Sequence, residues 1–186
     1  MPPDMRLIHA SDLDVWERPT AWPRAFFVDR ALEVRGPSDI LKALEVFPHR
    51  PFGAVESRFI PAWAPRGKDV ASVGVRAARG YALTGNSTRF SVDAPGPGLI
   101  VLTETYYPGD FIARMNGERV DYVRVNQAFK GIWVRKAGTY RVEFTYRPSR
   151  LFQAMVIAVS GALVMVAVCL AASRPAASTK RRGSCT

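Results

Sequence analysis

The stretch LIVLTETYYPGDFIARMNGERVDYVRVNQAFKGIWVRKAGTYRVEFTY, residues 99–146, decides the fold. In its last part Tyr140, Val142, Phe144 and Tyr146 alternate with Thr139, Arg141, Glu143 and Thr145. Period-two alternation puts one set of side chains on each face of a strand, so this strand has a core face and a wet face. Leu99–Thr105, Phe111–Met115, Glu118–Asn126 and Ile132–Arg135 read as further strands. The breaks between them carry turn chemistry. Tyr107-Pro108-Gly109-Asp110 sets proline and glycine where a type II turn needs a fixed φ and then a positive one. Asn116-Gly117 is the strongest short hairpin signal. Many short strands with regular turns predict an antiparallel β-sandwich.

Working outward, β texture begins near Val70, and residues 67–148 form the predicted sandwich core. Residues 1–66 are irregular and proline-rich, and are expected to pack on that core. They contain one predicted strand, Ala25–Asp29, and a short helix, Ser38–Phe47. There Ile40, Leu41, Leu44 and Phe47 recur at helical spacing, Ser38 is placed to cap, and Pro48 stops the helix.

On the other side lies LFQAMVIAVSGALVMVAVCLAAS, residues 151–173, without a charge. About 23 residues at ~1.5 Å rise give roughly 34 Å, enough to cross a bilayer core of about 30 Å. The predicted class is therefore mainly β, with a short helix in the sandwich domain and one C-terminal transmembrane α-helix. Along that helix Ala154, Ala158 and Ala162 repeat every four residues beside Ser160 and Gly161, a stripe suited to close packing against other transmembrane helices. Residues 174–186 form a basic tail expected to be disordered.

The formal net charge is +10. Four of those positive charges, Arg174, Lys180, Arg181 and Arg182, follow the apolar run, and basic residues commonly flank a span on its cytoplasmic side. No helix carries a basic stripe, which argues against nucleic acid and for a solvated surface near anionic lipid. The two cysteines are Cys169, in the run, and Cys185, in the tail, so the globular part has no thiol for a disulfide, zinc site or nucleophile. The first residues lack the apolar stretch of a signal peptide. Either the chain is expected to be the end of a longer polytopic protein, or its own span carries the insertion signal.

Catalytic signals are weak. His9 and His49 stand in proline-flanked polar segments, and Asp12 and Asp14 lack a third ligand, so no metal site is expected. No G-x-S-x-G, P-loop or H-E-x-x-H motif occurs. Glu104 and Asp121 read as solvated strand positions. Asn86-Ser87-Thr88 matches a glycosylation sequon. Aromatics such as Tyr106, Tyr107 and Trp133 suit core packing, an interface belt near lipid or a sugar-holding face.

The run from Leu99 to Ser149, with Tyr-Tyr-Pro-Gly, an Asn-Gly hairpin, Val-Asn-x-Ala-Phe-x-Gly and a closing Gly-x-x-x-Val-x-Phe-x-Tyr-x-Pro followed by a span, resembles the C-terminal region of YfhO-type bacterial membrane proteins. VWERPTAWPRAFFVDRA, from Val15 to Ala31, resembles a stretch which that family places earlier, and the likeness covers about residues 14–172. Asp110-Phe111 and Gln127 depart from the family pattern. The family is polytopic and similar to lipid-linked-sugar glycosyltransferases. The resemblance implies an extracytoplasmic β-domain in a bacterial cell membrane, with the tail returning to the cytoplasm. The spans where such enzymes keep catalytic acids have no counterpart here, so no catalytic residue carries over and no cofactor is expected. The expected function is an accessory part of a YfhO-like glycosyltransferase system that binds glycan or lipid-linked sugar, with the bilayer and other transmembrane helices as partners. The alternatives are one part of a split glycosyltransferase, or an anchor domain without a ligand. Tyr107, Asp110, Arg124 and Asn126, at the turns which the resemblance singles out, are the candidate ligand residues.

Overall fold

The computed structural model describes residues 5–172. Ser173 of the predicted span and the tail at 174–186 lie outside them. The chain runs β1 (Arg6–His9), β2 (Val15–Glu17), β3 (Ala25–Val28), β4 (Ala31–Val34), α1 (Pro37–Val46), β5 (Ala54–Glu56) and β6 (Arg66–Gly67). It continues with β7 (Val75–Ala77), β8 (Arg79–Leu83), β9 (Ser87–Ala94), β10 (Gly98–Thr105) and β11 (Phe111–Met115). Then follow β12 (Glu118–Val120), β13 (Val123–Val125), β14 (Phe129–Val134), β15 (Gly138–Tyr146) and α2 (Leu151–Ala172).

Two antiparallel five-stranded sheets form the sandwich. One has the order β13-β14-β10-β3-β7, the other β12-β11-β15-β9-β8. Between them lie Phe27, Ile100, Leu102, Ile132 and Val134 from the first sheet, and Phe90, Val92, Val142 and Phe144 from the second. The first sheet is also covered on its other face, where Phe26, Val28, Leu99 and Val101 pack with Ile40, Phe52, Val55 and Val73. A sheet covered on both faces needs strands apolar at successive positions, which is why Ala25–Val28 and Gly98–Leu102 are buried throughout. Each buried Phe of this pair of layers contributes about 1.5–3 kcal/mol.

The second cover is a small parallel unit. β4 pairs in parallel with both β5 and β6, and α1 forms the crossover between β4 and β5. α1 begins one residue before the predicted start. Gly36 is its N-cap and Pro37 its first residue, with no side-chain cap, so Ser38 does not cap it. Proline's fixed φ suits the first helical position. Asp39 Oδ2 accepts from the Arg35 backbone N–H at 3.0 Å instead. Only Ile40 of the helix is fully buried, and Leu41 faces out.

The predicted turns are present. Gly109 has φ +80°, and Asn116 and Gly117 have φ +53° and +90°, the two positive values of a type I′ hairpin, with Met115 paired to Glu118. Residues 1–66 hold more structure than expected. Besides the predicted strand they supply β1, β2, β4, β5 and the start of β6, and the predicted strand, β3, is woven into the sandwich beside β10. Strands of two to four residues are too short to show alternation, and β4, β5 and β6 are defined by partners far along the chain. The predicted single run Glu118–Asn126 is two strands, β12 and β13, one in each sheet.

The described residues up to Arg147 make one compact unit, and those from Pro148 onward a second, in which α2 is the described element. Leu151–Leu170 is long and apolar enough to cross a membrane, with a mean hydropathy of 2.3. Ala154, Ala158 and Ala162 are all exposed on it, and Ser160 Oγ donates back to the Val156 carbonyl at 2.7 Å.

Candidate functional site

The four predicted ligand residues fall into two pairs. Tyr107 and Asp110 bound the turn from β10 to β11, which carries the chain from one sheet to the other. The Tyr107 side chain is exposed, and its carbonyl accepts from Tyr122 Oη at 2.8 Å. The Asp110 carbonyl accepts from the Arg147 N–H at 2.7 Å. Arg124 and Asn126 instead converge on residues 52–56. Arg124 pairs with Glu56 at 2.8 Å, and that guanidinium, helped by Arg58, holds the Glu56 carboxyl below its ordinary value although burial opposes the shift. Asn126, at φ +49°, accepts from the Ala54 N–H at 2.6 Å and donates to the Phe52 carbonyl at 2.9 Å. Its own N–H bonds the Ala54 carbonyl at 2.8 Å. Asn126 thereby closes the chain before β5 onto the β13–β14 turn, a tethering role. It also borders an apolar groove of about 240 Å³ with Trp22, Ile40, Leu44, Phe52 and Phe129.

The densest chemistry lies elsewhere, between the sheets. Lys130 on β14 has no exposed surface, and its Nζ sits 2.9 Å from Glu104 Oε2 on β10. Glu104 Oε1 accepts from Thr88 Oγ1 at 2.7 Å and from Tyr81 Oη at 2.9 Å, both on the facing sheet. The Lys130 ammonium also lies 3.5 Å from the centre of the Phe111 ring and 5.1 Å from that of Phe144. Ring faces attract a desolvated cation. Burial pushes the Lys130 ammonium below its usual value although Glu104 opposes this. Burial alone would raise Glu104, but hydrogen bonds from Lys130, Thr88 and Tyr81 outweigh it and hold the carboxyl low. Burial, reinforced by Glu104, raises the Tyr81 hydroxyl. Among the described residues no buried side-chain nitrogen or oxygen lacks a partner. The network is fully satisfied, so its chemistry is that of a polar lock between two sheets. Sequence reading placed Glu104 on a wet face and passed over Lys130. The signal was parity: Glu104 shares its face with Ile100 and Leu102, and Lys130 with Ile132 and Val134.

Outside the sandwich, the uncovered face of the β8–β9–β15–β11–β12 sheet is rich in arginine. The register sets Arg119, Arg114, Glu143 and Arg89 side by side across four strands, with Arg141 two residues from Glu143 on β15. Arg89 bonds Glu143 at 2.7 Å, and Arg79 pairs with Asp93. Arg114, Arg119 and Arg141 make no ion pair among the described residues. Arg89, Arg114 and Arg141 line a shallow cleft of about 470 Å³ over Gly80 and Gly117. A second cleft, of about 660 Å³, opens at the carboxyl ends of β4, β5 and β6, where Arg66 and Ser57 both bond Glu33, at 2.8 and 2.5 Å. Ser57 first, then Arg66, hold the Glu33 carboxyl low. Among the described residues no three His, Cys, Asp or Glu side chains gather as a metal site would need. His9 reaches Ser11 at 3.2 Å.

No protein-family model, no curated protein and no solved structure matches this chain.

Proposed function

We propose that this chain is a membrane-anchored accessory domain, a β-sandwich that holds a ligand or a partner beside a bilayer and contributes no catalytic group of its own. The observation that carries the reading is the junction at the end of β15. Four residues, Arg147–Arg150, separate the last strand of the sandwich from an uncharged helix of 22 residues. Four residues reach at most about 14 Å, so an inserted α2 keeps the end of β15 near the lipid head groups. Tyr107 and Tyr146, both exposed, lie at this end, since Phe111, which opens the strand after the Tyr107 turn, pairs with Tyr146. Such aromatic residues suit the boundary between water and lipid. The resemblance to YfhO-type proteins supports a finer reading: the domain is extracytoplasmic and serves a membrane glycosyltransferase system, with glycan or lipid-linked sugar as its ligand.

The test is fractionation of cells that express the full chain and a variant lacking residues 151–172. The full chain should stay in the membrane pellet through an alkaline carbonate wash, and the deleted chain should not. Release of the full chain by the wash would overturn the anchor. Co-purification with a polytopic glycosyltransferase from the same membrane would support the finer reading. A chain that purifies from that membrane without such a partner, and binds no glycan or lipid-linked sugar, would sink it.

A further inference from the structure

The arginine face has a feature that stability does not explain. Arg114 and Arg119 are direct partners across the β11–β12 hairpin. Like charges directly opposite in a sheet are destabilising. Glu143, the partner of Arg114 on the other side, accepts from both Nε and Nη2 of Arg89 through Oε1, at 3.0 and 2.7 Å. Arg114 is left with the Gly117 carbonyl at 3.3 Å, and Arg141 stands two positions along β15 from the Arg114 partner. Three guanidiniums thus share one open face without an ion pair of their own among the described residues, and two of them line the same cleft as Arg89 and Glu143. Beside it, Asn116, Gly117, Thr139 and Arg141 border a second hollow of about 630 Å³.

The outward positions of this sheet include Arg79, Ser91, Asp93, Thr139 and Thr145, and no aromatic ring. A sugar ring would find nothing to stack on there. A guanidinium is a planar fork of donors that matches phosphate in pairs and stays charged at any ordinary pH. Gly117 and Gly80 have no side chain to obstruct an approach, and a Cβ built on either meets nothing within 4 Å.

We propose that this face, centred on Arg114, Arg119 and Arg141, is a binding site for a phosphate-bearing ligand. The phosphate oxygens bridge guanidiniums that otherwise repel one another, so binding relieves the unpaired charge of the hairpin. The site belongs to the sandwich alone and does not depend on whether α2 spans a membrane.

Titration calorimetry of the full chain in neutral detergent at ~0.15 M salt, with tripolyphosphate as the probe, tests it. The double variant Arg114→Gln/Arg141→Gln should weaken binding at least ~tenfold, since each guanidinium lost removes a charge-assisted bond. Lys42→Gln/Lys68→Gln removes the same charge from exposed positions elsewhere and should stay within about twofold. Equal losses in both doubles would reduce the effect to net charge and overturn the site, as would no binding to the unaltered chain. Circular dichroism of both doubles checks that the fold is kept, and single Gln variants at Arg114 and Arg141 serve if a double does not fold. Repeating the titration in phosphatidylcholine and phosphatidylglycerol nanodiscs separates two sources of the same chemistry. An unchanged affinity assigns a free phosphate ligand, whereas weaker binding in the anionic discs, lost in the Arg double, assigns a lipid head group.

Discussion

Replacing Lys130 by Met tests the reading of the inter-sheet lock most directly. The lysine stem is fully enclosed, and methionine keeps much of its volume, so the main loss is the ammonium with its 2.9 Å bond to Glu104 and its contact with the Phe111 ring. Removing one member of a buried ion pair costs roughly 3–5 kcal/mol. Glu104 keeps Thr88 and Tyr81, and its side chain is 20% exposed, so the expected cost is near the lower end, about 3 kcal/mol. Glu104→Gln leaves the enclosed ammonium without a counter-charge, and should cost more. Lysine can escape by giving up its proton, which at pH 7 caps the penalty at about 4.6 kcal/mol. Losing both charges should cost less than the two single losses together, by ~2–3 kcal/mol. All four tryptophans, Trp16, Trp22, Trp63 and Trp133, precede residue 148, so urea unfolding of the full chain in micelles, followed by fluorescence, reads the sandwich and not α2. Single-variant costs below ~1 kcal/mol, the value of a surface pair, would refute the lock, and so would simple additivity.

The same pair sets a pH dependence. Glu104 is held low in the fold, so its contribution is complete above the ordinary carboxylate value and is lost as pH falls through the folded one. Glu104→Gln should flatten that acid limb in denaturation midpoints. Lys130 is also held low, so the unfolded chain binds the extra proton between the folded and ordinary values, and stability rises with pH across that window. Lys130→Met should abolish the alkaline rise. Asn126→Ala removes two bonds to the Phe52–Ala54 strap and puts alanine at positive φ, for a loss of about 3 kcal/mol, and Asn126→Asp, which keeps the acceptor, should lose less. Gly98→Ala would set a Cβ 2.3 Å from the Val28 carbonyl oxygen, so at least ~3 kcal/mol or failure to accumulate is expected, read by expression and melting. Cys185 should resist an impermeant maleimide in intact cells and react after permeabilisation, and labelling of intact cells would reverse the proposed orientation.

The sequence showed the second half of the sandwich because its structure is locally written. The Pro-Gly and Asn-Gly turns and the alternation of β15 each lie within a few neighbouring residues, and β11 was found at its observed bounds. The first 66 residues were harder to read. β4, β5 and β6 are short and parallel, and nothing within two or four residues announces a partner that lies beyond a helix. The lock was hidden for a related reason. Glu104 and Lys130 meet only after β10 and β14 align across an irregular register, and charged residues on strands read by default as wet. The arginine face could be seen residue by residue, but not as a face, since its members lie on different strands.

One feature of the architecture bears on how the chain comes to be folded. Ala25-Phe26-Phe27-Val28 hydrogen-bonds to Leu99–Leu102, so the middle of the sheet joins an early segment to a late one. Such non-local pairing is slow to form, and until it forms a short run of bare apolar residues waits in solution with its backbone unmatched. Arg24 on one side and Asp29-Arg30 on the other bracket that run. Charges flanking an unavoidable sticky strand act as gatekeepers against self-association. Arg24, Asp29 and Arg30 stand where such gatekeepers stand, at both ends of the run that must wait for β10.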